Sequence, residues 1–269
     1  MESSAGTALP EINELNFNQI HTTKATLIPA DIKEQMIYQR AVEAAIWGLP
    51  AVNYQLMFDE LVKIKGNFNQ VVIWPGLLDW KNQTLTPNQD VIYSMAFFNT
   101  KDVGPVVLEI PPADSGIVNG SIMDYWQAAI EDVGPGGVDK GKGGKYLFLP
   151  PGYDKSKIPN DYIPMQSQTY QGYTLMRSIP KSNSDEDIRQ AVSYSRHIRV
   201  YPLSEASNPK ETTYIDASNS VYDSTIPKHR YWKRQQIQSF RQEPGFTEQC
   251  CKAGKSKAGS QLRIYAAVL

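Results

Sequence analysis

The sequence predicts a mainly β protein with some α+β character: an antiparallel β-sandwich with two or three helices packed at one end. Several segments repeat with a period of two and are bounded by Gly, Pro or Asn, which is typical of strands. The 269 residues, 41% of them hydrophobic, are sufficient for one large β domain with a sizeable core. The predicted strands cover 91–98, 106–110, 121–127, 145–149, 170–178 and 198–203.

Two helices are predicted before the first strand. Asp31 is suited to cap the first helix, in which small and apolar residues recur at spacings of three and four. The sequence Gly48-Leu49-Pro50 is expected to end this helix. A second helix is predicted over residues 52–64 and is expected to end at Gly66. The predicted buried stripe of the first helix consists of Ile37, Ala41, Ala44 and Gly48.

A third helix is predicted over residues 184–196. Ser184 and Asp187 stand three residues apart at its start, which is the spacing of a capping box. Ile188 and Val192 are expected to form its buried face.

The chain divides by composition into three predicted parts. Residues 1–30 are polar and unpatterned and are expected to form a flexible arm. Residues 31–206 carry the predicted strands and helices and form the β-sandwich domain. Residues 207–269 are predicted to be a linker and a basic tail, because acids are scarce after Lys228.

The overall charge argues against two classes of partner. The chain has 27 basic and 28 acidic residues and a net charge of −1, so no general affinity for nucleic acid or an anionic membrane is expected. No segment approaches the roughly 18 consecutive apolar residues that a membrane-spanning helix needs.

The amino terminus leaves the cellular location open. The sequence MESSAGTALP lacks the basic and apolar regions of a secretory signal. The protein is therefore either cytoplasmic, or periplasmic or extracellular with Met1 standing in place of a removed leader. Cys250 and Cys251 are adjacent and cannot form a disulfide framework.

A glycine-rich segment, GGVDKGKG at residues 136–143, nearly matches the phosphate-binding pattern G-x-x-x-x-G-K-[ST]. Gly143 occupies the position of the hydroxyl that holds magnesium, and the residues that follow are too short and too rich in proline for a helix. We therefore expect a connection between two strands. Lys140, Lys142 and Lys145 are predicted to form at most a weak, salt-sensitive anion site.

Two polar stretches contain the candidate ligand-binding residues. One contains Asn88, Asp90 and Tyr93, and the other contains Asp124 and Trp126. If Asp124 and Trp126 share one strand face, a carboxylate and an indole point in the same direction and can bind a hydroxylated ligand. In the alternative interpretation, Asn88 and Asp90 shape a turn and Asp124 fastens it to the sheet.

No catalytic, metal or cofactor signature is complete. His21, His197 and His229 lie in unrelated segments, so a zinc site is not predicted, and no cofactor is expected. His197 is expected to cap a helix. The serines lack the G-x-S-x-G pattern of a nucleophile.

Several motifs in order give the chain a resemblance to a known family. From Ala41 through Leu203 it resembles the bacterial domain-of-unknown-function family 1254. That resemblance implies a largely β-sandwich domain with flanking helices, in proteins that often begin with an export signal, and it implies no established activity. The motifs are AIWGLP, PNQDVIYS, GPVVLEIP, MDYWQ, GPGGVDKGKGGKYLFLPPGY, TYQGYTLMRSIP and RVYPL.

The resemblance ends just after Pro227, where members of the family usually continue into a second domain. We expect either a chain cut or shifted in frame, or a divergent basic tail for an acidic partner. On the first interpretation, the surface left by the missing domain is exposed and association into a homo-oligomer is expected.

Two functions are compatible with the sequence. The first is a non-catalytic module of an exported bacterial protein that binds a small polar ligand or glycan in a cleft lined by Tyr93, Asp124 and Trp126. The second is the amino-terminal part of an enzyme that acts on a small molecule, with Asp90 or Asp124 as acid/base.

Overall fold

Ten strands form two β-sheets in the computed structural model, which describes residues 31–79 and 87–220. The strands are β1 (Val71–Ile73), β2 (Ile92–Asn99), β3 (Val106–Ile110), β4 (Val118–Asp124), β5 (Ala129–Val133), β6 (Gly144–Leu149), β7 (Tyr162–Gln166), β8 (Gln171–Ser178), β9 (Arg199–Pro202) and β10 (Tyr214–Asp216).

The two sheets pack face to face as a β-sandwich. The larger sheet has the order β10-β1-β2-β8-β4-β5, and the smaller has the order β7-β6-β3-β9. Phe98 of the larger sheet meets Phe148 of the smaller one with ring centres 5.1 Å apart. This apolar interface is the main core of the domain, and the predicted mainly β fold class is confirmed.

The sheets are mixed, which corrects the expectation of a purely antiparallel sandwich. β1 pairs with β10 in parallel, and β6 pairs with β7 in parallel. The chain between β6 and β7 runs from residue 150 to residue 161 and returns to the starting edge, as a parallel pair requires.

The outer face of the larger sheet is covered by a long helix, α1 (Ile32–Lys63). Tyr93, Met95 and Phe97 of β2 lie on the side of this helix, while Ala96 and Phe98 point into the sandwich. Because both faces of β2 are covered, its residues are buried almost without interruption.

Helix α1 is continuous, so the predicted break at Gly48-Leu49-Pro50 is wrong. Asp31 caps it as expected, by accepting a hydrogen bond from the Glu34 N–H at 2.9 Å. Pro50 removes one helical donor, which leaves the carbonyl of Ile46 without its partner. Ile46 is 64% exposed, so we expect water to reach that carbonyl and the helix to continue.

The predicted buried stripe of the first helix is partly correct. Gly48 is buried, and Ile37 and Ala41 are half-buried, but Ala44 is exposed. The reason is that the apolar face of α1 meets the sheet only from Gly48 onward, where Ala51 and Tyr54 are completely buried.

The other two helices are shorter. α2 is a single turn (Thr100–Val103), which the sequence did not predict. α3 (Asp185–Ser195) confirms the predicted third helix, and the Ser184 hydroxyl accepts the Asp187 N–H as its cap. His197 lies just past its end, with Nδ1 2.9 Å from the carbonyl oxygen of Ser193. This position agrees with the predicted capping role.

The predicted strands agree with the structure to within about three residues, with one consequential difference. The strand predicted over 121–127 is β4, which ends at Asp124. Residues 125–128 form the turn to β5, so Trp126 does not share a strand face with Asp124. Four strands were not predicted: β1, β5, β7 and β10.

The larger sheet includes residues beyond 206, where the β-sandwich domain was predicted to end. Residues 214–216 form β10, which adds to the larger sheet next to β1. The predicted arm at 1–30 and the basic tail after residue 220 lie outside the described residues.

Candidate functional site

The candidate residues occupy opposite ends of the larger sheet. Tyr93 of β2 pairs with Arg177 of β8, whereas Asp124 of β4 pairs with Gly172 of β8. Five residues separate the two positions on β8, which is about 17 Å along a strand. The structure therefore divides the predicted cleft into two separate places.

At the first place, Asn88 and Asp90 shape the turn that leads into β2. The side-chain oxygen of Asn88 accepts the Asp90 N–H at 2.8 Å, and the Asn88 N–H donates to the Tyr93 hydroxyl oxygen at 2.9 Å. Asp90 is exposed, and its carboxylate accepts a long hydrogen bond from the Asn183 side-chain amide at 3.5 Å. The Asn88 backbone thus holds the Tyr93 hydroxyl, and neither Asn88 nor Asp90 is among the lining residues of the cavity beside Tyr93.

At the second place, Asp124 serves the turn after β4. It is 6% exposed, and its Oδ1 accepts the backbone N–H groups of Trp126 and Ala128 at 2.9 and 3.0 Å. Burial raises the pKa of the Asp124 carboxyl, although the two backbone hydrogen bonds oppose that rise. The carboxylate is therefore used to hold its own turn.

Trp126 projects from this turn onto α1. Its ring centre lies 4.5 Å from that of Trp47, and the rings are tilted by 40°. The next residue, Gln127, has a positive φ of 62° and donates from its side chain to the Pro50 carbonyl at 2.7 Å. The turn that contains Trp126 is thus tied to α1 beside its proline.

A cavity of about 240 Å³ lies beside Tyr93, between the second half of α1 and the larger sheet. Its walls are mostly apolar and include three aromatic rings, which is typical of small-molecule sites. The lining residues come from α1, β1, β2, β8 and the segment after β10, and include Met57, Leu61, Trp74, Tyr93, Phe97, Leu175, Arg177 and Ala217.

Arg177 brings a positive charge to the wall of the cavity. Its guanidinium carbon lies 5.4 Å from the centre of the Tyr93 ring, at cation–π distance. Within residues 31–79 and 87–220, no carboxylate forms an ion pair with Arg177. The other charged residue of the wall, Glu60, is paired with Lys63.

The indole of Trp74 is a second unusual feature of this wall. Its backbone N–H donates to the Tyr93 carbonyl at 3.0 Å, which continues the sheet beyond β1. Its Nε1–H is buried and has no hydrogen-bond partner in the part of the chain that the structure describes. A buried donor without a hydrogen-bond partner is energetically costly, so this N–H is available to a water molecule or a ligand.

Arg177, Trp74 and the cavity itself were not predicted from the sequence. One signal was present: residues 173, 175 and 177 occupy one face of β8, and an arginine follows Tyr173 and Leu175 in that row. This pattern predicts a cavity wall only if it is known that α1 covers this face of the sheet.

The glycine-rich segment connects β5 to β6, and no helix follows it. Asp139 organises it by accepting hydrogen bonds from the Gly134 and Gly143 N–H groups at 2.7 and 3.0 Å and from the Tyr146 hydroxyl at 2.8 Å. Because a carboxylate already occupies the centre of the loop, a phosphate there would meet a like charge. The expected strand connection is confirmed.

Of the three lysines in the predicted anion site on this loop, Lys145 is already paired with a carboxylate. Lys145 forms an ion pair with Asp161 at 3.1 Å and lies over the Tyr162 ring. Lys140 and Lys142 are exposed, and anion binding by them stays a prediction.

Metal-ligating side chains do not converge in groups of three or more anywhere in residues 31–79 and 87–220. His21, His229, Cys250 and Cys251 lie outside those ranges. A helix capable of crossing a bilayer is likewise absent from the described ranges.

Comparison with known families gives a match to part of the chain. The family described as "Protein of unknown function (DUF1254)" matches residues 68–202. This chain belongs to that family. The matched span runs from the approach to β1 through the end of β9, so it contains nine of the ten described strands, and it confirms the resemblance found in the motifs.

The DUF1254 chain is similar in fold to the VPA0106 protein from Vibrio parahaemolyticus, which has a crystal structure. The TM-score is 0.50 and the sequences are 19% identical over 67% of this chain and 43% of the other. The DUF1254 chain thus spans less than half the length of that protein. No curated protein matches its sequence.

Proposed function

We propose that this chain is a non-catalytic ligand-binding module and that its cavity beside Tyr93 holds a small, largely apolar molecule. The cavity itself carries the proposal. It lies between a helix and a sheet, is lined by aromatic and aliphatic side chains, and presents few polar groups. These are the general properties of sites that bind small molecules.

The size of the cavity limits the ligand. Its 240 Å³ is smaller than the roughly 300–1,000 Å³ that drug-sized ligands occupy. A compact molecule with a single ring fits this volume. The rings of Trp74, Tyr93 and Phe97 favour an aromatic body, because aromatic pairs gain from offset or edge-to-face contact.

A glycan is the less favoured ligand. It is supported by Trp126, which can stack on a sugar and lines an open hollow of about 450 Å³ next to α1. However, Asp124 and Gln127 hold the turn and the helix together, so few polar groups remain there for sugar hydroxyls.

The enzyme alternative retains one supporting observation, which is that burial raises the pKa of Asp124. An acid/base carboxyl needs a pKa shifted towards neutrality and access to the substrate. Asp124 is not part of either cavity wall, and Asp90 lies on an exposed turn. Binding without catalysis therefore has the stronger support.

Export from a bacterial cell belongs to the same proposal. Its support is the family resemblance, because related proteins often begin with an export signal. Fractionation of cells that make the full natural protein is expected to find it in the periplasm or medium; recovery from the cytoplasm alone would contradict export.

Association of two copies is also proposed, and it is supported by apolar side chains on the first half of α1. The exposed ones are Ile32, Met36, Ile46 and Leu49. Large apolar side chains exposed to solvent favour self-association. Elution as a monomer over a range of concentrations in size-exclusion chromatography would contradict it.

Ligand binding is tested with two compact neutral aromatic compounds, indole and benzamide, by calorimetry and thermal shift. We expect saturable binding that raises the melting temperature, because a ligand stabilises the folded state that binds it. Ala217→Leu adds side-chain volume inside the cavity and is expected to weaken binding. Ala44→Leu makes the same change on the exposed face of α1 and should leave binding unchanged. Equal binding by the two variants would contradict the proposal.

A further inference from the structure

We propose that the cavity selects small carboxylic acids with a compact apolar body, and that Arg177 binds the carboxylate. This inference depends on the proposed function, because it names the ligand class of the same cavity. It follows from the charge of the wall, the chemistry of the guanidinium and the apolar character of the remaining surface.

Arg177 is the cation of the wall and is half-buried there. Among the described lining residues the other charged group is Glu60, which is already paired with Lys63 outside the wall. A cation without a counter-ion beside apolar surface is costly, and a ligand carboxylate would lower that cost. The cavity is therefore electrostatically suited to one negative charge.

The Arg177 guanidinium is held in place by a contact that leaves its N–H donors unused. It lies over the face of Tyr93, and cation–π attraction does not consume N–H groups. In the described part of the chain the guanidinium makes no hydrogen bond to another side chain or carbonyl. Its planar fork can thus bind both oxygens of a carboxylate at once.

Tyr93 offers a further donor. Its hydroxyl oxygen accepts the Asn88 N–H, and among residues 31–79 and 87–220 no acceptor is present for the hydroxyl hydrogen. The hydroxyl is therefore able to donate to a ligand oxygen. Arg177 and Tyr93 are paired residues of neighbouring strands, so the sheet fixes the position of the two donors relative to each other.

A carboxylate fits this charge better than a phosphate. A phosphate monoester carries about −1.5 to −2 charges at neutral pH, which a single arginine does not balance. The excess charge would lie against Met57, Leu175 and other apolar walls, where an unpaired charge is strongly unfavourable. We therefore place phosphate esters outside the ligand class.

The experiment compares benzoate, benzamide and phenyl phosphate as probes, by isothermal titration calorimetry with the wild-type chain. Benzoate and benzamide have nearly the same shape and differ in charge. Benzoate is expected to bind about 10- to 100-fold more tightly than benzamide, the range for a hydrogen bond to a charged group. Equal affinities, or tighter binding of phenyl phosphate, would overturn the inference.

Variants assign the effect to Arg177. Arg177→Gln is expected to weaken benzoate binding about 10- to 100-fold and to change benzamide binding little. Arg189→Gln removes a charge from the exposed face of α3 and is expected to change neither. If Arg177→Gln weakens both probes equally, its role is structural and the inference is wrong.

Two further measurements keep the test valid if Arg177→Gln does not fold. Arg177→Lys retains the charge without the planar fork. This variant should bind benzoate more weakly than the wild type does, but it should still bind benzoate more tightly than it binds benzamide. Tyr93→Phe keeps the ring and removes the hydroxyl, and a loss confined to benzoate is expected. Binding of benzamide and indole without a preference for benzoate would refute the acid class alone, whereas binding of no probe would refute the proposed function as well.

Discussion

Asp139 and Tyr146 are joined by a hydrogen bond of 2.8 Å between the glycine-rich loop and β6. Asp139 is 7% exposed and also accepts the N–H groups of Gly134 and Gly143. Asp139→Ala takes this acceptor from the Gly134 and Gly143 N–H groups and leaves the Tyr146 hydroxyl with the Asp132 carbonyl oxygen at 3.3 Å. We expect the free energy of unfolding to fall by about 2–5 kcal/mol, measured by urea denaturation.

The control for this prediction lies on the same loop. Lys142 is exposed and stands where a phosphate-binding loop has its essential lysine. Lys142→Ala is expected to change the free energy of unfolding by less than about 0.5 kcal/mol. A loop whose stability depends on Lys142 and not on Asp139 would contradict the role assigned to the carboxylate.

The pH dependence of stability provides a test for Asp124. Its pKa is raised above the ordinary value of 3.8 because the carboxyl is buried. The folded state therefore binds this proton more tightly than the unfolded state, and the resulting stabilisation is complete below the unfolded pKa and is lost as pH rises through the folded pKa. Asn cannot ionise, so the stability of the wild type relative to Asp124→Asn should decline as pH rises from about 3 towards neutrality.

Urea unfolding of both proteins across that pH range measures the difference. Asp90→Asn, which changes an exposed carboxylate, gives the baseline for the loss of one charge. A wild-type advantage that grows with pH would mean that the hydrogen bonds from Trp126 and Ala128 outweigh burial. The same series bears on the enzyme alternative, because an Asp124→Asn protein that does not fold would show that the carboxyl is structural.

Local sequence signals were sufficient where the structure depends on local chemistry. The period of two in β2 and β8 and the Ser184 cap of α3 follow directly from neighbouring residues. β1 and β10 have three residues each and are stabilised by pairing with distant strands, so they give no comparable pattern. The same is true of Trp126, whose position depends on where β4 ends.

The candidate site was only partly predictable for a related reason. Tyr93 was identified because it stands in a polar stretch before a strand. Arg177 is 84 positions further along the chain, and only the pairing of β2 with β8 brings the two together. Helix α1 then decides which face of the sheet becomes a cavity wall, and its continuity through Pro50 depends on tertiary contacts that outweigh the local signal.

Gly48 tests the continuity of α1. A methyl group added at Gly48 would have no neighbour within 4 Å, and Gly inside a helix is less favourable than Ala by roughly 0.5–1 kcal/mol. Gly48→Ala is therefore expected to raise the free energy of unfolding by that amount. Gly66→Ala is the contrasting variant, because its added carbon would lie 1.9 Å from Leu61 Cδ1 and should destabilise the protein. A destabilised Gly48→Ala protein would favour a helix that ends at residue 48.

Variants of Gln127 distinguish the contribution of its side-chain hydrogen bonds from the cost of its positive φ in the turn after β4. It donates to the Pro50 carbonyl and accepts hydrogen bonds from Asn53 and from Tyr173 at 3.3 Å, with a positive φ of 62°. Gln127→Ala and Gln127→Gly both lose these bonds, so each should unfold more easily than the wild type, by about 1–3 kcal/mol. Glycine adopts positive φ without strain, so Gln127→Gly should be the more stable variant by about 1 kcal/mol. Thermal and urea unfolding of the pair measure this difference, and a more stable Gln127→Ala protein would mean that the turn relaxes to a negative φ once the contact with α1 is lost.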